Sequence, residues 1–315
     1  MSYLLNLNKF VPAPRTSRKP AICRLGFAFV LFVWAVLIVA LVNGCRTEPA
    51  SKRYHLSGRV ILKDQAQSTV TVDAKEIPGF MAAMAMPYPV KSPEMLDGLS
   101  AGDNITADVI VQGDRYWLED ITVRSRPNSP AAPSGTQLHI PQGGDRVPDF
   151  TLVNQDGKRI AFDRYKGKVL LLTFIYTRCP FPDFCPRISH EFATLERSLR
   201  SDPALYHRTH LLTISFDPEH DSPGVLREYG LPLVTNDAKA FKHWEFAVPR
   251  ATTLPEMARF FGFFYEQDSQ AKGILTHSVV VAVIAPDGSI FKWYHGNDWN
   301  ASELLKDAAA AASKR

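Results

Sequence analysis

The chain has 315 residues, enough for two domains, and at 45% hydrophobic and 22% charged it has an ordinary globular composition. Its formal charge of +4 belongs to one segment: Lys9, Arg15, Arg18, Lys19 and Arg24, with no acid, put five positive charges into the first 45 residues, which leaves the other 270 at −1. That balance provides no basic face for nucleic acid and excludes that class of partner.

Residues 25–42, "LGFAFVLFVWAVLIVALV", form an uninterrupted apolar run, with basic residues before it and "NGC" after it. This is the layout of an export signal: a positive start, an apolar middle and a small residue before a cleavage point. The stretch "VNGC" at 42–45 resembles a bacterial lipobox, which implies that Cys45 is the lipidated first residue of the mature chain. The alternative is an uncleaved anchor, since 18 apolar residues just span a bilayer. Both readings place the rest of the chain at the cell membrane, facing the periplasm or another extracytoplasmic space. Unprotected cysteines become disulfides there. Cys23 lies inside the leader and is read as a bystander.

Residues 46–53 are a polar tether. From Tyr54 to Val123 the pattern is one of short strands: "TVTVD" at 69–73, and the β-branched stretch 103–123 with a Gly-Asp turn signal at 113–114. No long helical period occurs, so a small all-β fold, an OB-like barrel or a meander, is expected over 54–123. Residues 124–146 are rich in Pro, Ser and Gly and read as a linker.

From Val147 to about residue 313 the pattern becomes α/β. "PDFTLVNQDGKRIAF" predicts a hairpin. "KVLLLTFIYT" at 168–177 predicts a strand buried on both faces. Pro186 opens a helical pattern in which Ile188, Phe192, Leu195 and Leu199 share one face. A second buried strand is expected at 210–217, helices at 222–230 and 252–262, a hairpin at 278–295 turning at Asp287–Gly288, and a closing helix from Ala301. This order gives an α/β domain with a mixed sheet.

Two of the four cysteines, Cys179 and Cys185, stand in the loop "TRCPFPDFCPR" between the first buried strand and the helix. Sites in α/β sheets gather at the carboxyl ends of strands. A thiol at a helix N-terminus is biased toward thiolate. A structural disulfide, a redox pair and a pair of metal ligands all fit the five-residue separation. A disulfide closing so short a loop would remove little unfolded-chain entropy.

"TFIYTRCPFPDFCPRIS", "VPDFTLVNQDGKRIAFDRYKGKVLLLTF", "ISFDPEHDSP" and "THSVVVAVIAPDGSI" together resemble the Sco/SenC family over about residues 144–312. The resemblance implies a thioredoxin-like fold and a copper chaperone for the binuclear copper centre of cytochrome c oxidase. It implies Cys179, Cys185 and the distal His277 as copper ligands, with Asp217 at an acidic position beside them. The family separates its cysteines by three residues, and this chain by five. Two thiolates and an imidazole suit Cu(I), and the imidazole also accepts Cu(II). His207, His210, His220, His243 and His295 fall in polar contexts and read as surface residues, with His190 a minor rival to His277.

Three of the six methionines lie in "GFMAAMAMPYP": Met81, Met84 and Met86. They are either flexible core filler or soft ligands for a second Cu(I) site. Residues 54–123 resemble the CusF-like copper-binding barrel, whose Met-x-Met pair corresponds to Met84 and Met86. Met81 stands at the family's Trp position, and the family's His has no counterpart in "VDAKEIP". The expected function is therefore a membrane-tethered copper metallochaperone that needs a thiol reductant and a copper-receiving partner such as a cytochrome c oxidase subunit. The alternative is a thiol–disulfide oxidoreductase acting on a cuproprotein. A peroxidase is disfavoured, because no Pro precedes Cys179 in "FIYTRC". A flexible linker of 23 residues would span roughly 25–30 Å, enough for Cu(I) to pass from the thioethers to the thiolates.

Overall fold

A computed structural model of the chain describes residues 50–126, 138–234, 240–267 and 273–314. The leader with Cys45, and the middle of the Pro/Ser/Gly-rich segment, lie outside the described residues. Among those described, no helix is long and apolar enough to cross a membrane.

The first module is an antiparallel five-stranded sheet: β1 (Lys52–Asp64), β2 (Thr69–Ala74), β3 (Met84–Pro89), β4 (Asn104–Gln112) and β5 (Arg115–Ser125), in the order β3-β2-β1-β4-β5. A bridge from Val90 to Leu118 brings the end of β3 to β5 and curls the sheet toward a barrel. Alternation along the strands sends Leu56, Val60, Val70, Val72, Tyr88, Val109 and Leu118 into one core.

The second module holds a seven-stranded mixed sheet. Its strands are β6 (Thr151–Asn154), β7 (Arg159–Ala161), β8 (Val169–Ile175), β9 (Thr209–Ser215), β10 (Trp244–Pro249), β13 (Val280–Ile284) and β14 (Ile290–His295), in the order β14-β13-β8-β9-β10-β6-β7. β8, β9 and β10 run parallel, and their partners on either side run antiparallel. Every residue of β8 and β9 is buried, as the continuous apolar run of β8 predicts. The helices are α1 (Cys185–Arg200), α2 (Pro203–His207), α3 (Pro223–Gly230), α4 (Leu254–Phe260) and α5 (Ala301–Ser313). Ser222 caps α3 by accepting from Val225 N, and Asn300 with Glu303 forms a capping box on α5.

Several features depart from the sequence reading, the short helix at Pro203–His207 among them. β10 was not expected. Neither was a separate two-stranded ribbon, β11 (Tyr265–Gln267) with β12 (Leu275–His277). Residues 138–146, read as linker, are bound to the second module: His139 N donates to Arg259 O, Gly144 N to Ile290 O, and Arg146 bridges to Ser289. Gly262 at φ +61 makes room for this segment, because a Cβ there would lie 2.6 Å from His139 O.

The described residues of the two modules, from Ser51 on, form one compact unit. β3 packs against β12. Arg59 on β1 pairs with Glu266 on β11 and lies over the Phe264 ring. Thr71 on β2 meets His295 on β14, with Oγ1 3.3 Å from Nδ1. Gly296, at φ +88, approaches Pro87 so closely that a Cβ would sit 2.7 Å from its ring.

Candidate metal centre

The parallel core fixes where the cysteine loop begins. β8 ends at Ile175, and the chain leaves the sheet through Tyr176 and Thr177. Asp221, fully buried, accepts from Thr177 N at 3.0 Å, Thr177 Oγ1 at 2.6 Å and Ser215 Oγ at 2.6 Å. This pins the first residue of the loop to the end of β9. Arg178 then reaches Asp217, with Nη2 2.6 Å from Oδ2. Asp217 therefore acts on the loop through the residue before Cys179, and Asp221, not singled out from the sequence, holds it more directly. The spacing in "DPEHDSP" was its only signal.

Cys185 is the first residue of α1, one position earlier than the Pro186 start expected, and is fully buried. Cys179 is half-buried, and both thiols are free. His277 ends β12, opposite Tyr265, and stands just ahead of β13. Its ring is enclosed by Tyr176, Phe184, Phe216 and Phe263. Nδ1–H donates to Ser278 O at 2.9 Å, which leaves the Nε2 lone pair facing Cys185 Sγ at 3.9 Å. The two sulfurs and a ring nitrogen of His277 lie within 4.8 Å of one another, and no other His/Cys/Asp/Glu group converges this way among the described residues.

The two thiols are electrostatically unlike. Cys179 is pulled down to about 4, chiefly by the hydrogen bond from Cys185 and, against the cost of burial, by His277 and the backbone at Phe181. Burial, and then the Cys179 charge, push Cys185 up. The pair thus holds one thiolate and one thiol that shares its proton with it. Tyr176, also missed in the sequence, is fully buried beside them, and its hydroxyl has no hydrogen-bond partner. Burial and the Cys179 charge push that hydroxyl upward.

The remaining histidines divide. His190, His207 and His220 are exposed. His210 and His243, read as surface residues, are buried, because each has a buried carboxylate partner: His210 Nε2 lies 3.0 Å from Glu245, and His243 Nδ1 faces Glu196 at 2.5 Å. His295, also read as a surface residue, has an enclosed Nε2 without a partner.

In the first module Met84 and Met86 stand opposite Ala74 and Val72, so both point to the same face of the strand. Met84 is buried and belongs to the apolar cluster of the second module, the cluster that holds Phe184 and Cys185, with Met81 and Met86 packed at its margin. Tyr88 donates its hydroxyl to Met81 Sδ at 3.2 Å. Opposite Met84 the β2 residue is Ala74, so this strand pair brings no imidazole to the methionines.

Residues 53–123 match the family described as copper binding periplasmic protein CusF, and residues 140–313 match SCO1/SenC. The SCO1 protein homolog of Bacillus subtilis is 25% identical over 181 residues, covering 57% of this chain and 89% of its own. The mitochondrial SCO2 homolog of Bos taurus is 25% identical over 165 residues, covering 50% of this chain but only 56% of its own. The crystal structure of Arabidopsis thaliana ScoI with copper bound is 21% identical, covers 55% of this chain and all of that one, and has a TM-score of 0.46. The second match takes in more than half of the sequence, from the segment bound under Gly262 to the last turn of α5, with both free thiols and His277 inside it: the chain belongs to the SCO1/SenC family.

Proposed function

We propose that the protein is a copper metallochaperone, exported and tethered to the membrane through its N-terminal segment, that delivers copper to a cuproprotein such as a cytochrome c oxidase subunit during assembly of its binuclear centre. The observation that carries this reading is the convergence of Cys179, Cys185 and His277 Nε2 on one point at the carboxyl end of β8. A thiolate, a second sulfur that gives up its proton as the metal binds, and the Nε2 of an imidazole are a donor set for Cu(I), and the nitrogen extends it to Cu(II). Copper is cargo here, so the site must hold it and also release it. A half-exposed Cys179 offers the receiving protein an approach. A thiol reductant keeps the pair open for loading.

The test is copper binding by the reduced protein. We expect one copper at this centre. Cys185→Ser should abolish tight binding, and His277→Ala should weaken Cu(II) more than Cu(I). Full copper retention in Cys185→Ser would refute the reading.

The inequality of the two thiols favours a second role at the same atoms. Cys179 thiolate attacks a substrate disulfide to form a mixed disulfide. Cys185, once deprotonated, displaces the substrate thiol and closes the Cys179–Cys185 bond. The substrate is reduced, this pair is oxidised, and an external thiol resets it. His277→Ala separates the roles, since it removes a copper ligand and leaves both sulfurs for exchange.

A further inference from the structure

The barrel is seated on the ribbon that carries His277, with its methionine strand at the contact. β3 packs on β12, and Met84, whose strand partner Ala74 belongs to the barrel core, is itself buried in the core of the second module, with Met86 packed at the margin of both cores. Polar contacts flank this packing: Arg59 with Glu266 and Phe264 on one side, Thr71 with His295 on the other. Gly296 against Pro87 is a place where only glycine fits. Val70 and Val72 enter the barrel core, so Thr71 between them points outward; it is nevertheless buried, because the second module covers it.

We infer that this contact is a built transfer interface. Cu(I) held by Met84 and Met86 passes to Cys179 and Cys185 inside the docked molecule, without a search on a flexible linker. The inference rests on the copper reading above. In the transfer, copper–thioether bonds break as copper–thiolate bonds form. Copper stays Cu(I), and the proton of Cys185 Sγ leaves to solvent. The direction follows from charge, since an anionic sulfur binds Cu(I) more strongly than a neutral one.

The test uses the reduced full chain, one equivalent of Cu(I) from its acetonitrile complex, and stopped-flow absorption of the copper–thiolate bond. Thr71→Arg puts a cation into the interface at a position that faces solvent in a free barrel, and it touches neither donor set. We expect small-angle scattering to show an opened molecule, and the first-order, concentration-independent loading phase to slow by at least about tenfold as direct contact is replaced by tethered encounter. Final occupancy of the cysteines should be unchanged. Thr71→Ser, which keeps the hydroxyl, should behave as the parent. An opened Thr71→Arg protein that loads at the parent rate overturns the transfer interface, and a parent chain whose scattering is that of an open molecule overturns the docking. If the cysteines take no copper in either protein, the copper reading falls and the relay with it, a result distinct from slow loading to full occupancy.

Discussion

Asp221 receives both the backbone N–H and the hydroxyl of Thr177, two residues before Cys179. One buried carboxylate therefore sets where the cysteine loop leaves the sheet. With Ser215 it has three donors, so removing it strands three polar groups in a closed space. Asp221→Ala should cost on the order of 3 kcal/mol, seen as a lower denaturation midpoint, and should weaken copper retention although no ligand has changed. Asp221→Asn should fall between the two. Parent-like stability in Asp221→Ala would show that the loop is held by something else.

The unequal thiols make a prediction about reactivity in the metal-free, reduced protein. Cys179 should alkylate with iodoacetamide at a nearly constant rate from ordinary pH down toward its midpoint at about 4, where a free thiol would already have lost its reactivity. Cys185, fully buried, should resist until the protein unfolds. Cys185→Ala removes the main hydrogen bond to the Cys179 thiolate and should move the midpoint up. Mass spectrometry of the labelled peptides reads both sites. Equal labelling of the two cysteines would contradict the asymmetry.

His295 links the modules through Thr71, and burial pushes it down to about 4. A proton added at Nε2 would find no acceptor. The folded value lies below the unfolded one of 6.5, so the unfolded or undocked state binds the proton more readily. The contribution is present above 6.5 and is lost as pH falls from 6.5 toward 4. Thermal scans should show the melting temperature dropping across that window, with a smaller drop in His295→Gln, which cannot take a proton.

Much of this was legible from residues alone. A seven-residue buried strand announces itself by unbroken apolar character, as β8 does, and Asp287–Gly288 marks its turn by chemistry. What escaped was structure fixed by partners distant in sequence. β10, "WEFAVP", carries a Glu that looks incompatible with a buried strand until His210, Asn154 and Tyr165 are seen around it. β11 and β12 are three residues each, too short for a period, so the ribbon that carries His277 has no signal in the sequence, although the hairpin that follows it does. The seating of the barrel had no signal, because an outward Thr71 reads as solvent-facing in any single strand.

The same polar residues give a prediction that separates stability from function. Glu245 is buried, which by itself would raise it. Hydrogen bonds from His210, Asn154 and Tyr165 outweigh that and hold it at about 2. Thr209, His210, His243 and Glu245 lie at the starts of β9 and β10, whereas the cysteines follow the far end of β8. About six residues of strand, or roughly 20 Å, lie between them. Glu245→Gln leaves His210 and Tyr165 with an uncharged acceptor in a closed site and should cost roughly 1.5–3 kcal/mol, the range for hydrogen bonds to a buried charged group. The loss should appear in urea unfolding at neutral pH and shrink as pH falls. The folded value is below the unfolded 4.5, so the parent's advantage is present above 4.5 and fades toward 2. Copper stoichiometry at the cysteines, measured well below the unfolding midpoint, should be unchanged. Loss of copper in a still-folded Glu245→Gln protein would mean that the two ends of the sheet are coupled.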